Sequence, residues 1–77
     1  MSPWAYDNEY LIWGANTLKL DDAKLFTPLN ENWGKTKDKV IYTTKIVEGV
    51  HIQTFEVIDK YKAKDKYHNY ENGEVVK

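Results

Sequence analysis

Tyr67-His68-Asn69-Tyr70, then Glu71-Asn72-Gly73, then Glu74-Val75-Val76 is the stretch that decides the fold class. Asn-Gly between two β-forming runs is the favoured centre of a type I′ turn, because both central residues need positive φ. A hairpin is therefore predicted here, and the same style of strand recurs upstream. Glu9-Tyr10-Leu11-Ile12-Trp13 is an aromatic and aliphatic run closed by Gly14. Its alternating sets, Tyr10/Ile12 and Leu11/Trp13, are both apolar, which places the strand between two layers or at an interface. Val40-Ile41-Tyr42-Thr43 and Thr54-Phe55-Glu56-Val57-Ile58 read as further strands. Helix is scarce. Residues 20–26 suit a single turn capped by Asp21 or Asp22 and ended by Pro28, and residues 48–53 suit a second.

The two short turns fall in equivalent places and expose a repeat. One unit runs from Asp7 through Tyr10 and Trp13 to Phe26. The next runs from Asp38-Lys39 through Tyr42 to Phe55, and a third begins at Asp65-Lys66 and continues past Tyr70. The leading Asp residues are 31 and 27 residues apart, a spread that loop-length differences between repeats can absorb. The expectation is an all-β (mainly β) fold: an antiparallel meander of about two and a half hairpin repeats with one or two single-turn helices. It would form one domain, residues 1–77. Each Asp is expected to pin the bend before a strand by accepting backbone amides.

Seventy-seven residues bury only roughly 60–65% of the surface that the unfolded chain exposes, so the stability margin is thin. There is no cysteine, and the core must come from the three Trp, six Tyr and two Phe, or from self-association as a homodimer. All eleven cationic side chains are Lys. Without Arg, a specific nucleic-acid reader is disfavoured. Charge is uneven: net −3 over residues 1–34, net +3 over 35–66. Two lysine ladders, Lys35/Lys37/Lys39 and Lys60/Lys62/Lys64/Lys66, would each line one side of an extended strand. They are read first as a solvated face guarding a sheet edge, and second as a seat for an acidic partner. The opening Met1-Ser2-Pro3-Trp4 has no signal-peptide pattern, and no run approaches a membrane span, so the expected location is cytoplasmic, or secreted after a signal is removed.

Lys37-Asp38-Lys39-Val40-Ile41-Tyr42 and Ala63-Lys64-Asp65-Lys66-Tyr67-His68-Asn69-Tyr70, with the return strand Gln53-Thr54-Phe55-Glu56-Val57-Ile58, resemble the DKNYYF repeat family of bacterial proteins. The resemblance covers roughly residues 36–76. The N-terminal unit departs from it, with Asp7-Asn8-Glu9-Tyr10 in place of Asp-Lys. It implies no catalytic constellation. Some members look like partners of secreted toxins, and on that analogy the chain would be an immunity or inhibitor protein.

No nucleophile elbow, phosphate loop or metal-ligand spacing is present, and His51 and His68 are the only histidines. The chain is therefore expected to be no enzyme and to need no metal or cofactor. Another protein, a toxin or effector, is the expected partner. Tyr10, Trp13 and Trp33 are the candidate aromatic anchors, with Glu9, Asp21 and Asp22 as charge partners. The alternative is a cell-wall carbohydrate-binding module in which the tryptophans stack on sugar rings.

Overall fold

The structure, a computed structural model, describes residues 3–76. It is an all-β meander of three consecutive antiparallel sheets. The first contains β1 (Trp4–Tyr6), β2 (Tyr10–Trp13) and β3 (Asn16–Lys19). The second runs β4 (Thr27–Pro28), β5 (Trp33–Lys35), β6 (Val40–Tyr42) and β7 (Lys45–Val47) in that spatial order. The third is built likewise from β8 (Glu56–Val57), β9 (Lys62–Lys64), β10 (Asn69–Glu71) and β11 (Glu74–Val76). Single 3-10 turns, Ala23–Leu25 and Ile52–Thr54, join the sheets. Asp22 stands at the N-cap of the first turn without capping it through its side chain. Among the described residues, no helix is long and apolar enough to cross a membrane.

The repeat is stricter than the Asp-Lys motif suggests. Positive φ falls at Gly14 (59°), Thr43 (54°) and Asn72 (53°), spaced by 29 residues each time. The amides of these three donate to the carbonyls of Pro3, Asn32 and Tyr61, again 29 apart. At the loop before the second strand of each hairpin, the amides of Asp7, Thr36 and Asp65 donate to the carbonyls of Tyr10, Lys39 and His68 at 2.9 Å. Thr36, not Asp38, is therefore the equivalent of Asp7 and Asp65, which corrects the alignment expected from sequence. Asp38 lies two residues further on, exposed, with Lys39 Nζ 3.1 Å from its carboxylate. The Asn72-Gly73 turn has the positive φ at both centres that the hairpin requires, 53° and 79°.

The lysine ladders resolve differently from each other. Lys62 and Lys64 flank buried Ala63 on β9, as alternation predicts, but β9 lies between β8 and β10 and guards no edge. Lys35 is on β5, while Lys37 and Lys39 belong to the following loop, so these three share no strand face.

Burial forms two clusters. Leu11, Leu20, Ala23, Phe26 and Ile41 join the first unit to the second, with Trp4, Leu18 and Ile46 packed around them. Trp33, Val40, Val47, Ala63 and Tyr70 join the second to the third, with Phe55 and Tyr42 among those around them. Charge follows the same joints: Glu31 pairs with Lys60 (3.5 Å) and Lys45 with Glu74 (3.1 Å), each pair 29 residues apart. The sequence asymmetry in charge is thus partly consumed between neighbouring units. Such exposed pairs are worth only about 0.2–1 kcal/mol each, so the apolar joints dominate.

Candidate functional site

Polar contacts tie each 3-10 segment to the loops beside it, and Ile52 of the second segment lies beside Thr36 and Lys37, so loops and segments share one edge of the molecule. The Leu20 amide donates to the Glu9 carbonyl at 2.8 Å, which ties loop 7–10 to the first 3-10 segment. Lys39 Nζ lies 3.4 Å from Asp22, which ties that segment to loop 36–39. The His51 amide donates to Asp65 at 2.8 Å, and the Lys66 amide to the Thr54 hydroxyl at 2.9 Å, which ties the second 3-10 segment to loop 65–68.

Two of the three loops are pinned by an Asp. Asp7 Oδ1 accepts the amides of Glu9 (2.9 Å) and Tyr10 (2.7 Å). These bonds stabilise the carboxylate and lower its pKa. Asp65 is tied more tightly. Its Oδ1 accepts the amides of Tyr67 and His68, and its Oδ2 accepts the His51 amide and the Tyr70 hydroxyl, the last at 2.6 Å. Burial opposes ionisation of Asp65, but these four bonds outweigh it and hold the carboxyl well below the usual range. Burial and the bond to Asp65 push the buried Tyr70 hydroxyl well above its ordinary value. The Thr36 hydroxyl, at the same place in the middle loop, is buried with no partner. There Ile41 replaces Tyr70, so the phenol that would reach back is missing.

Four of the six residues singled out from sequence meet on this edge. Glu9 ends the loop before β2 and Tyr10 opens the strand, opposite Lys19 at the end of β3, just before Asp21 and Asp22. Glu9, Tyr10 and Asp21 are exposed, whereas half-buried Asp22 already faces Lys39. Trp13 lies at the other end of β2. It is half-buried, edge-on to Trp4 at 6.5 Å, and donates its indole N–H to the Glu31 carbonyl at 2.6 Å. Trp33 is fully buried and cannot serve as a surface anchor, which corrects its place in the set. Its Nε1 has no partner. Trp4 Nε1 reaches the Asn30 carbonyl, but at the equivalent position the Asp59 carbonyl is taken by the Asn30 side chain.

Sequence reading passed over Tyr67, the most exposed aromatic at 64%. The His51 ring stands edge-on to it at 5.4 Å, and Lys66 Nζ lies 5.7 Å from its ring centre. The 29-residue frame puts Tyr67 at the position of Glu9 and His68 at that of Tyr10, a signal available once the frame is corrected. His51 Nδ1 and Thr54 Oγ1 are 2.7 Å apart, but both lie in one short turn and Thr54 also receives the Lys66 amide. That contact braces the loop. Among the described residues, no three His, Cys, Asp or Glu side chains lie together as a metal-holding group.

The fold defines a short array of 29-residue β units. None of three comparisons finds a match for it: no family model fits the chain, and no curated protein or solved structure resembles it.

Proposed function

We propose that this protein is a small protein-binding module that engages its partner along the loop edge, acting as an immunity or inhibitor protein toward a bacterial toxin or effector. One observation carries the reading: the three loops share a backbone frame but present different side chains. They display Asn8-Glu9-Tyr10, Lys37-Asp38-Lys39 and Lys66-Tyr67-His68 in turn. A constant scaffold with varied displayed residues is how repeat proteins build recognition surfaces. Tyr supplies contact area at low conformational cost, and the mixture of charges supplies electrostatic complementarity. Membership of the DKNYYF repeats is part of this proposal. The Asp65 turn ahead of β10 supports it, while Thr36 in the middle unit weighs against it. The sugar-platform alternative is weakened by the burial of Trp33, and Trp13 is half-buried edge-on to Trp4.

The test is affinity capture from a native lysate with wild type and with the triple variant Glu9→Ala, Tyr10→Ala, Tyr67→Ala. Capture of one stoichiometric protein by wild type, lost in a variant that still melts cooperatively, is the expected result. A partner retained equally by both proteins, or retention only on cell-wall material, would overturn the proposal.

A further inference from the structure

We infer that the middle loop, residues 36–39, is a carboxylate-binding site, and that it takes an Asp or Glu side chain of the partner protein where the neighbouring units use acceptors of their own. The third unit shows what such a loop requires. Asp65 accepts the amides of His51, Tyr67 and His68 at 2.8 Å each, and the Thr54 hydroxyl accepts the amide of Lys66 at 2.9 Å. Four N–H groups are thus satisfied by two side chains. In the first unit Asp7 does the same for the amides of Glu9 and Tyr10.

In the middle unit both acceptors are replaced. The 29-residue frame puts Thr36 in the place of Asp65 and Leu25 in that of Thr54, and the donors become the amides of Asp22, Lys37, Asp38 and Lys39. Among the described residues, the amides of Asp22, Lys37 and Lys39 meet no acceptor, and that of Asp38 faces only its own carboxylate. Thr36 does not substitute for Asp. It is buried, 4% exposed, and its hydroxyl has no partner. Successive backbone N–H groups of this kind form an anion-binding concavity, and a carboxylate is the anion that the neighbouring loops use.

The same residues border a groove. Leu25, Thr36 and Lys37 line it together with Thr27, Lys35 and Ile52, around a volume of about 430 Å³. Lys35 and Lys37 form no ion pair among the described residues, so both ammonium groups can meet an incoming carboxylate. Asp22 and Asp38 also stand at this loop, but they share Lys39 Nζ at 3.4 and 3.1 Å, which offsets their repulsion. Leu25 and Ile52 give the methylenes of an Asp or Glu side chain an apolar wall. That the carboxylate comes from a protein rests on the loop-edge reading, whereas the site itself is tested without a partner.

The probe is sodium acetate, titrated into the isotope-labelled 77-residue protein against sodium chloride at equal ionic strength and followed by NMR. The expected result is saturable shifts at the amides of Asp22, Lys37, Asp38 and Lys39, and none at Tyr67 and His68, which Asp65 already holds. Thr36→Asp supplies the carboxylate from within and should abolish those shifts. Lys35→Gln combined with Lys37→Gln leaves the core untouched and should weaken acetate binding about fivefold or more. Absence of saturable acetate shifts, the same shifts with chloride, or shifts that persist in the Thr36→Asp variant would each overturn the inference. In the lysate capture, Thr36→Asp should lose the partner. A partner kept by Thr36→Asp but lost by the loop-edge triple variant would overturn this inference and leave the loop-edge reading standing.

Discussion

The outward positions of the first sheet are Ala5 and Ile12, small or aliphatic and incompletely covered. Those of the third sheet are Lys62, Asn69 and Glu71, all exposed. At the places of these three, the first unit has Trp4, Leu11 and Trp13, and the second has Trp33, Val40 and Tyr42. Strands β1–β3 and β9–β11 pair in the same register, so at these positions the difference lies in side chains: three substitutions turn a stacking face into a solvated one. Repeat arrays require such polar outer faces for solubility. Here that requirement is met on one side only.

The largest test of this contrast is one substitution placed at two equivalent positions. Gly34→Leu drives a side chain into Phe26 and should cost about 3 kcal/mol or more, enough to unfold most of the population of so small a domain. Ala5→Leu meets no seated Phe and should change stability by less than about 0.5 kcal/mol. Chemical denaturation of both variants measures the pair, and similar losses at the two sites would break the equivalence.

Next in size is the contrast between Asp65 and Asp7. Asp65→Ala removes the acceptor of four hydrogen bonds, one from a buried phenol, and should cost about 2–3 kcal/mol. Asp7→Ala loses two exposed bonds and should cost clearly less. Because the folded pKa of Asp65 is depressed, its contribution is complete above the ordinary carboxylate pKa of about 4 and is lost as pH falls below it. Melting curves between pH 7 and pH 2 should show an acid loss in wild type that is reduced in the Asp65→Ala variant. An identical acid profile would contradict the four-bond account.

Smaller effects probe the turns and joints. Thr43 is β-branched yet holds φ at 54°, where the equivalent residues are Gly14 and Asn72. Thr43→Gly should therefore stabilise the protein, by about 0.5–1 kcal/mol, as read from the midpoint of urea unfolding. The smallest effect belongs to the inter-unit ion pairs. A double-mutant cycle on Glu31 and Lys60 should give a coupling of about 0.2–1 kcal/mol that shrinks with added salt.

Much of the strand pattern was legible in sequence wherever a strand carries its own signal. Asn72-Gly73 announces the last hairpin, and the aromatic and β-branched runs announce β2 and β6. Strands β3, β4 and β7 were not read individually, β9 entered only through the Lys60–Lys66 ladder, and the clearest misses are β1 and β5, with sequences Trp-Ala-Tyr and Trp-Gly-Lys. Each is three residues long, and in β5 the small central residue is required by a ring from another part of the chain. A demand of that kind cannot be read locally. The repeat was visible but set two residues out of frame, because the middle unit has Thr36 where its neighbours have Asp. Of the residues singled out for the candidate site, Glu9, Tyr10, Asp21 and Asp22 come to one edge because they are local to the β2–β3 pair and the turn that follows it. Trp33 was misplaced because sequence does not say which of three tryptophans lies at a joint, and Tyr67 was missed because its equivalents are Glu9 and Asp38.

The most direct test of the 29-residue frame is a NOESY spectrum of the protein in solution. The frame predicts contacts from the Phe26 ring to the Gly34 α-protons and to Trp4, and from the Phe55 ring to Trp33 and Tyr70, with the Gly34 α-protons shifted upfield by the ring above them. Absence of the Phe26 to Gly34 contact, with Gly34 protons at ordinary shifts, would contradict the stacking of equivalent units on which the whole reading depends.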